Sequence, residues 1–336
     1  MKQIVLKHAL HHRPVADDFA VIDAAPPACP DDGVVAQVLH ISLDPYVGSR
    51  LRGRHMGEAP PAPMTDMIPG GVIARIVQSR TPHAREGDLI HTTTGGWAEA
   101  IALSHNAFRR IDPKIAPLAA YLGVLGMPGL TAWAGVTQLA QVKPGDVFLV
   151  DAAAGPVGGT AGQIARLRGA KRIVGIAGGA EKCRLVVERY GFDACIDYKS
   201  ADWLAQLDAA LGEAPSVHFE NVGMNILLPV MQRLKLYGRV VLCGLVDQYH
   251  ADAPPPQIPA GLIVGKRAQM LGLVVYDFYP RFAEFIAQTE HQIADGSVRF
   301  MHDQAFGLEA APAHFEKLMR GDNIGKTIVT LVDDPA

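Results

Sequence analysis

Cysteine is scarce in this chain: Cys29, Cys183, Cys195 and Cys243 are four thiols among 336 residues, and no two of them form a CxxC pair. Such spacing argues against a disulfide framework and against a structural zinc knot, so reduced, buried thiols are expected. Positive charge is not in excess either. With 31 Lys and Arg against 34 Asp and Glu, the formal net charge is -3; no basic surface is implied that could neutralise a run of phosphates, and nucleic acid is not expected as a partner. Long apolar runs are also missing. The stretch MKQIVLKHALHHRPVADDF has no continuous hydrophobic segment, and no uncharged run elsewhere reaches membrane-spanning length, which predicts a cytoplasmic protein. The adjacent His11 and His12 lie in a polar stretch and read as a solvated loop rather than a metal site.

What is present is the composition of an ordinary globular chain, 49% apolar and 19% charged, long enough for two separate cores. Up to about residue 120 the apolar runs are short and turn-bounded (QIVLK, FAVID, GVVAQVLHISL, GGVIARIVQS, WAEAIAL), the texture of a β-rich barrel-like unit. The Pro-, Gly- and Met-rich segment RGRHMGEAPPAPMTDMIPGG, 52–71, interrupts it as a long loop. After an apolar helical stretch, 121–140, the rhythm changes. DVFLVDAA, KRIVGIAG, DACIDY, SVHFENVG, GRVVLCGL and AQMLGLVV are buried-type strands with amphipathic segments between several of them. That alternation predicts an α/β unit with a parallel, doubly wound sheet. The expected division is 1–122, completed by 296–336, and 123–295.

The first of these strands runs into VFLVDAAAGPVGGTAG, 147–162. Aligned to G-x-G-x-x-G it supplies Ala153, Gly155 and Gly158. Such a loop needs a tight turn, a residue without Cβ where a pyrophosphate approaches, and close packing of helix on strand. Gly155 and Gly158 serve the last two, and a methyl at Ala153 is tolerated if φ stays negative. The kind of dinucleotide is decided at the end of the next strand. An NAD site places an acid there for the ribose 2′-hydroxyl, but this strand ends Ala177-Gly178-Gly179, with Lys182 three residues on. Without an acid to repel a 2′-phosphate and with an ammonium to pair with it, NADP(H) is expected.

The segments SLDPYVGSR, GDLIHTTTGGWAEA, GVLGMPGLTAW, AAAGPVGGTAGQIARL, VGIAGGAEKC, GFDACIDYK, FENVG, VLCGLVDQY and GDNIGKTIV together resemble the zinc-independent medium-chain dehydrogenase/reductases that reduce activated double bonds. The resemblance spans nearly the whole chain. It implies a GroES-like catalytic domain and a Rossmann domain, an active site between them, and a homodimer. It also implies NADPH contacts from Met127 and Thr131, from the loop residues Ala154, Gly155, Pro156, Val157 and Gly158, and from Gly178, with Lys182 and Tyr198 on the 2′-phosphate. Asn221 and Asn323 would bond the cofactor, and the segments Cys243-Gly244 and Leu273-Val274-Val275 would flank the nicotinamide.

Zinc is not expected. A catalytic zinc takes three protein ligands; the zinc-dependent relatives carry a Cys near HISLDP and a Gly-His-Glu near IPGGVIARI. This chain has Ser42 to Tyr46 and Pro69-Gly70-Gly71 there, with only His40 and His55 nearby. In an enone or enal, hydride addition at the β-carbon leaves negative charge on the carbonyl oxygen, which needs hydrogen-bond donors, and a proton must reach the α-carbon. Tyr249 or bound water is the candidate donor, Tyr249 also touching the cofactor, and Tyr46 is expected to position the substrate. A quinone is the alternative substrate, and a non-catalytic NADPH-binding protein the alternative class. Asp247, two residues before Tyr249, is expected to face solvent, since carboxylates are seldom buried unpaired.

Overall fold

Short alternating segments in the first third of the chain pair into antiparallel sheets. The computed structural model describes residues 1–248 and 257–334. In chain order the first strands are β1 (Lys2–Leu6), β2 (Phe19–Asp23), β3 (Gly33–Ser42), β4 (Pro69–Ser79), β5 (Leu89–Gly96), β6 (Ala100–Ser104) and β7 (Arg109–Arg110), with helix α1 (Pro45–Leu51) after β3. The next part of the chain holds α2 (Met127–Trp133), β8 (Val147–Val150), α3 (Pro156–Leu167), β9 (Arg172–Ala177), α4 (Ala180–Tyr190), β10 (Ala194–Asp197) and α5 (Trp203–Leu211). It continues with β11 (Val217–Glu220), α6 (Met224–Arg233), β12 (Arg239–Leu242), α7 (Ala260–Lys266), β13 (Gln269–Gly272) and α8 (Phe282–Ala294). The chain closes with β14 (His302–Phe306), α9 (Ala311–Met319) and β15 (Lys326–Thr330).

Two compact units result, one from Met1 to Leu122 and again from His302 onward, the other from Gly123 to Met301. In the first, β14-β15-β3-β4-β5-β7 form one sheet, β6 pairs with β3, and β1 and β2 form a hairpin. β15 joins by antiparallel pairing with β3, Val329 opposite Ile41. α9 presents Ala311, His314, Phe315, Leu318 and Met319 inward, the spacing of an amphipathic helix. Its Phe315 meets Trp97 edge-on at 5.2 Å, and Trp97 stacks on Phe19 at 5.6 Å. Chain-terminal and chain-initial segments thus share one core.

In the second unit the described strands form a parallel sheet in the order β10-β9-β8-β11-β12-β13. This is a doubly wound order, reversing between β8 and β11, and ligands of such sheets sit beyond the carboxyl ends of the strands at that reversal. Both faces are covered. Phe148 and Val150 enter one core, Val147 and Leu149 the other, which is why the strand reads as an unbroken apolar run. The apolar stretch 121–140 is not one helix: α2 passes into a π-helical turn at Ala134–Leu139. After α8 the chain stays with this unit for a few residues, because Gln163 of α3 brackets Arg299, accepting from its N–H at 2.7 Å and donating to its carbonyl at 2.9 Å.

Candidate dinucleotide site

The loop after β8 is shaped by what its residues lack. Gly155 caps α3 in an extended conformation, with Pro156 in its first turn. A Cβ on Gly158 would lie 2.6 Å from the carbonyl oxygen of Ala152 and 2.8 Å from that of Asp151, so helix and strand approach more closely than any side chain permits. The methyl of Ala153 is accommodated from across the sheet. A Cβ on Gly175 of β9 would come within 2.8 Å of the Ala153 Cβ, so the atom missing at Gly175 makes room for the one added at Ala153. The turn itself is taken by Ala152, which adopts a positive φ of 45°, while Ala153 does not. The Gly155 N–H is used in the turn, donating to the Ala152 carbonyl at 2.8 Å, and Pro156 has none, so the N–H groups of Val157 and Gly158 in the first turn of α3 are the ones suited to an anion.

At the ends of β9 and β10 the construction is chemical. A Cβ on Gly178 would meet the Tyr198 ring at 3.0 Å, the Lys199 Cε at 3.1 Å and the Tyr198 hydroxyl at 3.2 Å. Lys182 is half-buried in the first turn of α4. Lys199, absent from the sequence expectation, therefore joins Tyr198 and Gly178; only the pairing of β10 with β9 reveals it. The same pairing brings a carboxylate that β9 lacks. Asp197 Oδ1 accepts from the N–H of Gly179 at 2.8 Å and of Lys199 at 3.0 Å, fastening the two strand ends together.

Beyond β11, Asn221 is buried. Its backbone N–H donates to Asp151 Oδ1 at 2.6 Å and its amide to the Asp151 carbonyl at 3.1 Å. Gly244 packs on this turn, where a Cβ would be 2.9 Å from the Asn221 carbonyl oxygen. The neighbouring Cys243 thiol is pushed up to about 12 by burial and by the Asp151 and Glu220 carboxylates. Burial and Asp151 likewise hold the Glu220 carboxyl well above its usual range. Leu273 is buried and packs toward Gly135, whereas Val274 is 37% exposed and Val275 opens a 3-10 helix. Met127 starts α2, and the Thr131 hydroxyl donates to its carbonyl at 2.8 Å. Asp247 is exposed, its N–H bonded to the Val222 carbonyl. Tyr249 lies outside the described residues.

In the first unit Tyr46 sits on α1, half-buried, its ring 5.1 Å from that of His55. Asn323 donates to the Gly325 carbonyl at 3.0 Å, bracing the turn into β15. His40 is tied to Thr330 at 2.9 Å and to Asp334 at 2.6 Å. Around Ser42 the buried charge is balanced by the protein itself: Asp44 accepts from the Ser42 hydroxyl and from the Lys326 ammonium, the latter at 2.8 Å. Burial lowers the pKa of Lys326, and Asp44 opposes that shift. Gly70 and Gly71 offer no ligand atom, so the residues of this region do not fit a catalytic zinc.

Two family models match the chain, one described as the N-terminal domain of oxidoreductase over residues 2–111 and one as zinc-binding dehydrogenase over residues 156–290. The chain is 34% identical to the NADPH-dependent curcumin reductase of Escherichia coli (strain K12) over 340 aligned positions, covering 98% of this chain and 96% of that protein. It is 35% identical to the 2-alkenal reductase (NADP(+)-dependent) of Nicotiana tabacum, with 98% and 96% covered. The solved structure of CurA in complex with NADPH from Vibrio vulnificus superposes with a TM-score of 0.90 at 32% identity, over 100% of both chains.

Proposed function

The chain belongs to the medium-chain dehydrogenase/reductase family, in its double-bond reductase branch, and on that premise we propose that this oxidoreductase uses NADPH to reduce the C=C bond of α,β-unsaturated ketones or aldehydes without zinc. The observation that carries the cofactor reading is the convergence of Tyr198 and Lys199 on Gly178, with Lys182 in the first turn of the helix that follows and Asp197 Oδ1 committed to backbone N–H groups. Ammonium groups there favour a 2′-phosphate over a plain ribose. The glycine-lined start of α3 takes the pyrophosphate. When bound, NADPH supplies the hydride that reaches the substrate β-carbon.

The chain's own part is to position and to protonate. Tyr46 is proposed to orient the carbonyl compound, and Tyr249 or a water beside it to deliver the α-carbon proton. The positions where zinc-dependent relatives carry ligands hold Ser42, Asp44, Gly70 and Gly71, with Lys326 as the local cation, which supports a reaction polarised by hydrogen bonds instead. The same proposal carries a homodimer in the cytoplasm; molar mass in solution by light scattering tests the first.

The test is NADPH oxidation by the purified protein with an aliphatic enone, a 2-alkenal, and a simple benzoquinone, each with product identification. Turnover of the enone or enal to the saturated carbonyl compound is expected. Turnover of the quinone alone would replace this reading with a quinone reductase, and tight NADPH binding without turnover of any would make the chain a binding protein.

A further inference from the structure

One face of the parallel sheet is apolar along Val147, Leu149, Val174 and Ile176 and is covered by Ile226 and Val230 of α6. At the carboxyl end of that face the pattern breaks. Asp151 continues the alternation of Val147 and Leu149, and His218 and Glu220 are the alternate residues of β11, whose other two, Val217 and Phe219, belong to the opposite core. All three polar side chains are 0% exposed.

Their ligating atoms converge. His218 Nε2 lies 3.3 Å from Asp151 Oδ2 and 3.4 Å from Glu220 Oε2, and the three atoms fall within 4.8 Å of one another. Among the described residues none of these three atoms has a hydrogen-bond partner. The remaining carboxylate oxygens are held from behind: Asp151 Oδ1 by the Asn221 N–H at 2.6 Å, and Glu220 Oε1 by the N–H groups of Val222 and Gly223 at 2.8 and 2.6 Å. Backing hydrogen bonds of this kind orient metal-ligating carboxylates; the His218 Nδ1 is without one.

The two His218 distances and the donor set, one imidazole nitrogen with two carboxylate oxygens, favour a zinc-type ion. Nitrogen and oxygen ligands about 2.0–2.1 Å from a tetrahedral zinc stand about 3.3–3.4 Å apart. An octahedral Mg²⁺ at similar distances would draw neighbouring ligands to about 2.9 Å, and Ca²⁺ takes oxygen ligands. We propose that Asp151, His218 and Glu220 hold a zinc-type divalent cation within the dinucleotide-binding unit, with its fourth position left to water. The ligands are not the segments Ser42 to Tyr46 and Pro69 to Gly71, where zinc-dependent dehydrogenases carry theirs, so the role is structural. The ion would tie the end of β8 to the end of β11, one residue from Asn221 and two from Ala153, and it would hold the base of the fingerprint loop. None of this rests on the reaction proposed above.

The full-length protein, refolded with Zn²⁺ and then dialysed, is expected to retain about one zinc per chain by elemental analysis and to unfold at a higher temperature than protein refolded in chelator. Co²⁺ in its place should give the visible absorption of a tetrahedral site. Asp151→Ser and His218→Gln should each reduce the bound metal to near zero. Parent protein that retains almost no zinc and melts at the same temperature with or without it would overturn the proposal and leave a proton-sharing cluster. Zinc that stays at one per chain in both variants would overturn it as well, by placing the ion elsewhere. The parent measurements decide even if a variant fails to fold.

Discussion

The carboxyl ends of β8 and β9 lie side by side in one sheet and are built by opposite means. At β8 the structure depends on atoms that are absent: Gly158 lets α3 close onto Ala152, and Gly175 leaves space for Ala153. At β9 it depends on groups that are present, Tyr198 and Lys199 gathered at Gly178 and Lys182 on the adjoining helix. The first arrangement suits any dinucleotide, because a pyrophosphate needs only room and N–H groups. The second is selective, because it matters only if a 2′-phosphate is there to be met. Shape and charge are thus divided between neighbouring strands, and substitutions should separate them.

The largest effect is expected at the steric end. Gly158→Ala forces a Cβ to within 2.6 Å of a backbone oxygen that cannot step aside, and should lower stability by about 3 kcal/mol and weaken NADPH and NADH alike. Urea denaturation and titration with both cofactors check this. The opposite, amino-terminal end of β8 supplies a contrast in stability alone. Burial by itself would raise the Asp146 carboxyl, but the Lys143 N–H, the Ser216 hydroxyl and Arg239 together hold it below the usual carboxylate range, Arg239 reaching both oxygens at 2.6 Å. Asp146→Asn should cost about 2 kcal/mol near neutral pH with cofactor preference unchanged. A carboxyl depressed in the folded state contributes above its unfolded pKa and ceases to contribute as pH falls through its folded one. The gap between parent and variant should therefore close in denaturation curves taken progressively below pH 4.

Smaller and more selective changes belong to the end of β9. Lys182→Ala and Lys199→Ala should each weaken NADPH by about tenfold, the loss of one charge-assisted contact, and leave NADH within twofold; isothermal titration distinguishes these outcomes. Tyr198→Phe, which removes a single neutral hydroxyl, should cost about threefold in NADPH affinity.

The same division explains what could be read from the residues. The fingerprint Ala153, Gly155 and Gly158 is local, so it was legible together with the alternation of strands and helices around it. The place of Lys182 in the first turn of α4 was legible because it follows β9 directly. Lys199 and Asp197 were not: they adjoin Gly178 only through the pairing of β10 with β9, and no spacing in one sequence states which strands pair. The compensation between Ala153 and Gly175 was hidden for the same reason. The Asp151, His218 and Glu220 cluster joins residues about 70 positions apart, each unremarked in its own segment because Asp after a strand and alternate polar residues within one are common. The stretch 121–140 was read as uniformly helical, whereas Gly126 and Pro128 delay α2 and the helix widens into a π-turn at Ala134.

The account turns on the end of β9 choosing NADPH. Dissociation constants of the unmodified protein for NADPH and NADH, measured side by side at physiological ionic strength, test it most directly. Two ammonium contacts of about 1.4 kcal/mol each correspond to about 100-fold tighter binding of NADPH. Equal affinities, or a preference for NADH, would contradict it.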